Sequence, residues 1–418
     1  MSPRLTAAFD AIVLDVFWNR LISICNEQAI ALMRTSFTTI VRESEDLSAG
    51  VFDPAGNMIA QSVTGTPGHI NSMATSMRHF LAQYPIPSLE PGDVLITNDP
   101  WFTSGQLHDL TIMTPVFRDG RVVAFFGNTC HAADIGGRGL SADAREVYEE
   151  GLYLPVLKLH RAGEPNEDVI RIIRGNVRSP DMVLGDIHAQ ISCNEVGGRR
   201  LLEFMDEFGL DSIEPLAEEI LERSERAMRD AIERIPDGTY VGETWSDGFA
   251  SEEPIHIVCA VTVKGSNLLV DYAGSSGQSR LGINVVLNYT TAYTTFGLKA
   301  AISPDVPNNE GSFRPVVVTW RRRRRRLHDP PAEHHDLFRQ HRGAGRDRIW
   351  RLDEAGRDDG LAVGQGAAAI GPRRQARRGS KEHVVLRRRH AQPGSSAAAE
   401  GDGLDQEHGV AVKESLES

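Results

Sequence analysis

His108-Asp109-Leu110-Thr111-Ile112-Met113-Thr114-Pro115-Val116-Phe117-Arg118-Asp119-Gly120-Arg121-Val122-Val123-Ala124-Phe125-Phe126-Gly127-Asn128-Thr129-Cys130-His131 reads as a β-hairpin with chemistry at its open end. Both flanking runs are apolar and rich in Val, Ile, Thr and Phe, and Asp119-Gly120 suits a tight turn whose central residues need positive φ. A two-residue loop places Arg118 opposite Arg121, His108 opposite His131 and Asp109 opposite Cys130. One added residue, as a bulge or a longer loop, makes Asp109 face His131 instead. Either register brings imidazole and carboxylate together at the open end, where directly opposed residues have Cβ atoms about 5 Å apart. That is close enough to share a divalent ion, with Asp134 as a fourth group. The plain alternative is a hydrogen-bonded pair in which the carboxylate fixes the imidazole tautomer. No ligand spacing typical of a structural zinc site is present.

Outward from the hairpin, apolar residues at helical spacing from Phe9 to about Met33 predict a long amphipathic helix. Leu47–Phe52 and Met58–Ser62 form a second hairpin candidate around Asp53-Pro54-Ala55-Gly56-Asn57. Met73–Tyr84 reads as a helix, Val94–Thr97 and Leu152–Leu159 as strands. Met182–Phe208 and Ile213–Ile235 read as helices, the first interrupted at Gly197-Gly198. Asp186, Gln190 and Asn194 recur every fourth residue there, a polar stripe that suits a solvated face or a subunit contact. Thr239–Trp245, Ile255–Val263 and Leu268–Tyr272 return to period two, and Val285–Ala301 is helical again. Strands and helices come in blocks, so the expected class is α+β, with mixed or antiparallel sheets and long amphipathic helices. The expected divisions are an N-terminal α+β region (1–180) carrying the site, a helical region (181–236), a second α+β region (237–320) and a tail (321–418).

The tail opens on six arginines, Arg321 to Arg326, and continues in Pro, His, Gly, Ala and charge with no sustained period. The composition is that of a disordered segment, or of a GC-rich gene read out of frame after about Val318. Residues 1–320 hold 24 Lys and Arg against 42 Asp and Glu, and the tail holds 21 against 15. An acidic body excludes nucleic acid and anionic membrane as main partners, since both require clustered positive charge. Cys25, Cys130, Cys193 and Cys259 stand at wide, unpatterned spacing, the usage of a reducing compartment. No leader-like segment opens the chain and no run of about 18 apolar residues spans a bilayer, so a cytoplasmic location is expected.

Several motifs together resemble the hydantoinase B/oxoprolinase family. They are Asn98-Asp99-Pro100-Trp101, Gly105-Gln106-Leu107-His108-Asp109, Thr114-Pro115-Val116-Phe117, His131-Ala132-Ala133-Asp134-Ile135-Gly136-Gly137, Glu150-Gly151-Leu152-Tyr153-Leu154-Pro155 and Asn309-Glu310-Gly311-Ser312-Phe313-Arg314-Pro315. The resemblance implies an ATP-dependent hydrolase of cyclic amides such as hydantoins and 5-oxoproline. It also implies a hydantoinase A-type partner subunit that binds ATP and phosphorylates the substrate, and the chain indeed lacks a Gly-x-x-x-x-Gly-Lys-Ser/Thr loop. Carboxylases of acetone and acetophenone are related, so a carboxylase subunit is the enzymatic alternative and a scaffold for the ATPase the non-catalytic one. Carried over by position, a zinc or manganese ion would meet Asp46 (or Glu45), Asp109 and His131. The first His of the family's His-x-x-Asp segment falls on Gln106, a poorer ligand, so the chain either uses His108 instead, binds metal weakly or has lost it. On a regular strand His108 and Asp109 point to opposite faces, which makes simple replacement difficult. Asp134 or Glu150 would act as general base. His69 would touch substrate, and Gly136 and Gly137 would admit a phosphate beside backbone N–H groups. The ordinary roles of these residues are a loop hydrogen bond for His69 and unusual φ/ψ for the glycines.

Overall fold

A computed structural model describes residues 11–139, 141–248 and 254–319, and the backbone of Leu361–Ala362. All belong to one unit, Met1–Pro372. The expectation of a disordered or out-of-frame tail concerns residues that otherwise lie outside this description. The helices are α1 (Ala11–Thr35), α2 (Thr39–Arg42), α3 (Pro67–Gln83), α4 (Val147–Glu150), α5 (Glu167–Asn176), α6 (Pro180–Phe208), α7 (Glu214–Glu233) and α8 (Leu287–Ile302). The strands are β1 (Leu47–Phe52), β2 (Met58–Gln61), β3 (Val94–Thr97), β4 (Asp109–Arg118), β5 (Arg121–His131), β6 (Leu157–Arg161), β7 (Glu164–Pro165), β8 (Gly238–Ser246), β9 (Ile255–Lys264), β10 (Asn267–Asp271), β11 (Asn284–Val285), β12 (Val316–Thr319) and β13 (Leu361–Ala362). The class is α+β. A seven-stranded antiparallel sheet has the order β2-β1-β5-β4-β3-β6-β7, a second has β12-β10-β9-β8 with β10 and β12 parallel, and β11 pairs with β13.

The predicted hairpin forms at the centre of the large sheet. Asp119 and Gly120 turn the chain at φ of 50° and 73°, and Arg118 faces Arg121. The ladder then slips between Val116 and Phe117, because Val123 is an extra residue on β5. The bulge selects the second of the two registers, with Asp109 opposite His131. Both faces of this sheet are covered, which is why β1 and most of β5 read as continuous apolar runs. Ile96, Leu110 and Ile112 pack against Ile187 and Ile191 of α6, while Phe126 joins Leu21 and Ile24 of α1. On the opposite face Phe52, Leu95, Met113 and Phe125 meet Ile70, Met73, Met77 and Phe80 of α3.

Three sequence expectations change in the structure. Helix α6 runs through Gly197-Gly198 without interruption. Those glycines let the helix approach the sheet closely, and a Cβ on Gly197 would lie 2.4 Å from the Phe126 ring. The polar stripe on α6 is neither solvated nor left for a subunit, since Asp186, Gln190 and Asn194 are all buried. Asp186 Oδ1 accepts from the Phe37 amide at 2.6 Å, and Gln190 and Asn194 exchange hydrogen bonds with Asn128 on β5. Helix α3 begins at Pro67 rather than Met73, with Thr66 before it in extended conformation. Proline at the first helical position is a start signal, and it puts His69 in the first turn of a helix instead of a loop. No helix among the described residues is long and apolar enough to cross a membrane.

Candidate functional site

Asp109 is the hub of a buried polar cluster on the α3 face of the large sheet. Its Oδ1 lies 2.9 Å from Nδ1 of His131, and Oδ2 lies 3.0 Å from Nε2 of His69. Oδ2 also accepts from Ser104 Oγ at 2.6 Å and Gln106 Nε2 at 3.0 Å. Asp109 is fully buried, with His69, His108 and His131 between 2 and 8% exposed. Burial alone would push the Asp109 carboxyl up. The His69 charge and the hydrogen bonds from both imidazoles outweigh it and hold the carboxyl well below its usual range. Burial disfavours the His69 imidazolium in turn, and the negative charges of Asp109 and Asp46 reverse that and raise it.

Four pieces of backbone deliver these groups. Strand pairing brings His131 to Asp109, and the His131 amide donates to the carbonyl of Asp46, just before β1, at 3.2 Å. Thr66 Oγ1 holds Asp46 Oδ1 at 2.8 Å, and His69 Nδ1 stands 3.6 Å from the same oxygen. The loop carrying Ser104 and Gln106 is built from the Asn98 motif. Asn98 Nδ2 donates to the carbonyls of Leu107 and Leu152, its Oδ1 accepts from the Leu154 amide, and Asp99 accepts from the Trp101 amide and from Tyr153 Oη. Asn98, Asp99 and the Gly151–Leu154 segment therefore shape the site without entering it.

His108 lies against the far side of His131, the rings nearly parallel with centroids 5.1 Å apart. Burial and His131 lower its pKa, and its buried Nδ1 has no hydrogen-bond partner. Glu150 Oε2 accepts from the Leu107 amide at 3.0 Å, and burial raises its carboxyl. Asp134 stands apart from the cluster. It accepts from the amides of Gly136, Arg178 and Ser179 and from the Arg178 guanidinium, and despite some burial these bonds hold its carboxyl below the usual range. The amide of Gly136 is thereby engaged, and Gly136 and Gly137 are close-approach positions where a Cβ would lie 2.3 Å from the Asn176 carbonyl oxygen and 2.4 Å from the Glu150 backbone. The structure thus joins Asp46, His69, Asp109 and His131, sets His108 and Glu150 beside them, and leaves Asp134, Gly136 and Gly137 outside. Ser104 carries no motif that would mark it, whereas Thr66 stands in the Thr66-Pro67 pair that starts α3.

Two carboxylates and two imidazoles are donors that suit zinc or manganese, and the Nδ1 of His69 is buried without a hydrogen bond. As they stand the groups form a chain, Asp46, His69, Asp109, His131. Among the described residues no set of three or more His, Cys, Asp or Glu is spaced as a metal cage. Gln106 closes the chain by donating to Asp109, with its Nε2 3.4 Å from His131 Nδ1.

Comparison with known proteins places this cluster in a family context. The sequence model described as hydantoinase B/oxoprolinase matches residues 10–331. The caprolactamase subunit beta of Pseudomonas jessenii is 31% identical over 317 residues, covering 74% of this chain and 53% of that protein. The 5-oxoprolinase of Dictyostelium discoideum is 27% identical over 76% of this chain and 26% of its own length. The crystal structure of the ATP-dependent caprolactamase from Pseudomonas jessenii superposes with a TM-score of 0.69 at 29% identity, over 75% of this chain and 54% of that one. A nucleotide-free acetone carboxylase shares the fold, with a TM-score of 0.66 at 18% identity over 75% of this chain and 44% of that one. The chain spans about half the length of its bacterial relative and a quarter of the 5-oxoprolinase.

Proposed function

The chain belongs to the hydantoinase B/oxoprolinase family, and from that premise we propose that it serves the hydrolytic half-reaction of an ATP-dependent cyclic amide hydrolase. A hydantoinase A-type partner phosphorylates the carbonyl oxygen of a small cyclic amide, and this subunit delivers water to the activated carbon. The oxygen of one water bonds to that carbon, its proton passes through a basic group of the site to the ring nitrogen, and the ring C–N bond opens to leave an amine and an acyl phosphate. A second water then cleaves the acyl phosphate to carboxylate and inorganic phosphate.

The observation that carries this reading is the buried Asp109 held between His69 and His131. A carboxylate bound at Nδ1 fixes the imidazole tautomer and leaves Nε2 of His131 with a lone pair for the chemistry. Glu150, with its raised carboxyl, is suited to take the proton of water and return it to the ring nitrogen. Asp46, Asp109 and His131 carry donor atoms of the kind zinc and manganese take, but with His69 they stand as a chain and not as a cage, so the proton of water is assigned to the side chains of the site.

Co-purification with the A-type partner, followed by turnover of hydantoin, 5-oxoproline and caprolactam with ATP in labelled water, tests the reading. Water oxygen is expected in the opened product, and His131→Ala should lower turnover at least about 100-fold with the complex intact. Full turnover in His131→Ala, or bicarbonate carbon entering the product, overturns it.

A further inference from the structure

The site has a wall that no sequence motif marked. Asn288, in the first turn of α8, donates to the carbonyls of Ser72 at 3.3 Å, Phe102 at 3.0 Å and Thr103 at 2.8 Å, and its Oδ1 accepts from Thr75. These bonds tie α8 to α3 and to the loop that carries Ser104. Tyr289 follows directly and lies on both segments. A Cβ built on Gly68 would be 2.5 Å from Tyr289 Cε2, and one on Gly105 would be 3.4 Å from Tyr289 Cβ. Gly68 precedes His69, and Gly105 stands between Ser104 and Gln106. Tyr289 therefore lies over the backbone that presents three of the four partners of Asp109.

Tyr293, one turn along α8, meets Gly68 as closely, with Cε2 2.6 Å from the same built Cβ. The two rings lie 4.9 Å apart at 66°. Tyr289 Oη donates to Tyr293 Oη at 3.4 Å, and the Tyr293 hydroxyl proton has no acceptor among the described residues. Burial and Tyr293 push the Tyr289 phenol up, and the charges of Asp109 and Asp46 add to this.

We propose that Tyr289 and Tyr293 are substrate-positioning residues of this site: the Tyr289 ring offers a flat face to a planar cyclic amide, and the Tyr293 hydroxyl donates to a ring carbonyl oxygen. This rests on the cyclic-amide reading above. A planar ring stacks on a phenol without loss of rotamer freedom beyond two torsions. A hydroxyl in a part-buried wall selects a ligand that carries a carbonyl.

The test is hydantoin binding to the full chain by calorimetry, without ATP or partner, with acetamide as the acyclic control. Tyr293→Phe should weaken hydantoin about 10-fold, the worth of one well-placed hydrogen bond. Tyr289→Leu should weaken it as much or more, and Tyr289→Phe less than about 3-fold. Acetamide should not bind measurably. In the complex with its partner, Tyr293→Phe should raise KM and leave kcat within about 2-fold, the mark of a binding contact. Wild-type affinity in both Tyr293→Phe and Tyr289→Leu overturns the proposal, as does a wild-type chain that does not bind hydantoin. If Tyr289→Leu fails to fold, Tyr293→Phe, which removes a single oxygen, decides alone. A complex that opens hydantoin with KM and affinity unmoved by either variant sinks this proposal and leaves the hydrolase reading standing. If labelled bicarbonate carbon enters the product, that reading falls instead.

Discussion

Asp109 and His131 face one another across β4 and β5, Oδ1 to Nδ1 at 2.9 Å, because β5 holds one residue more than β4 between this pair and the Asp119-Gly120 turn. The carboxylate is fully buried, and four donors surround it. Asp109→Asn keeps the shape, removes the charge and turns one acceptor into a donor facing other donors. The expected cost is about 3 to 5 kcal/mol, that of breaking a buried ionic cluster on one side. Urea unfolding of the full chain measures it, and a change below about 1 kcal/mol would show that the cluster is not ionic.

Gly197 is a second position where one atom decides the packing. Its added Cβ would sit 2.4 Å from a ring carbon of Phe126, which is fully buried and cannot rotate away. Gly197→Ala gains helix propensity worth up to about 1 kcal/mol on α6 and loses about 1 to 3 kcal/mol to overpacking. Net destabilisation is expected in a thermal melt, whereas a rise in Tm would mean that α6 and β5 separate without cost.

Much of this architecture is legible in the residues themselves. The turn at Asp119-Gly120, the blocks of period two and of helical period, and the gathering of His108, Asp109 and His131 at the open end of the hairpin all follow from local pattern. The bulge at Val123 does not, because an extra residue in a run that is apolar on both faces leaves no break in alternation. The sequence alone suggests a loop at His69 because the helical period of α3 is clear only from Met73 onward, although Thr66-Pro67 carries a start signal. The stripe on α6 shows the limit of polarity as a guide. Asp186, Gln190 and Asn194 look solvent-facing until the partners Asn128 and Phe37, far away in sequence, are placed against them. Tyr289 and Tyr293 sit in a Thr-rich, Tyr-rich helix whose pairing with α3 no local signal announces.

Lys299 gives the chain a pH signature outside the site. It is 6% exposed, its Nζ donates to the carbonyls of Ser303 and Val306, and burial lowers it from 10.5 to about 8. The folded value lies below the unfolded one, so between them the unfolded chain holds more protons and stability rises with pH. The cost of the buried charge is complete below about pH 8 and vanishes near pH 10.5. Relative to Lys299→Met, the wild type should gain on the order of 2 kcal/mol between about pH 8 and pH 10. Parallel stability curves for the two proteins over that window would contradict the assignment.

Asp134 and Glu150 separate the structural carboxylate from the chemical one. Asp134 is held by three amides and the Arg178 guanidinium, so Asp134→Asn should cost about 1 to 3 kcal/mol of stability and leave kcat of the complex near the wild-type value. Glu150 has one amide for one oxygen, a carboxyl raised by burial, and the Asp109 charge raising it further. Because its charged form is disfavoured on folding, Glu150→Gln should stabilise the chain above the ordinary carboxylate range, an advantage that disappears as pH falls below it. The same variant should lower kcat about 100-fold if the carboxylate moves the proton of water. Opposite signs in stability and turnover for Glu150→Gln, against a stability loss alone for Asp134→Asn, are the expected pair. A fall in kcat for Asp134→Asn at a temperature where it remains folded would transfer the base to Asp134.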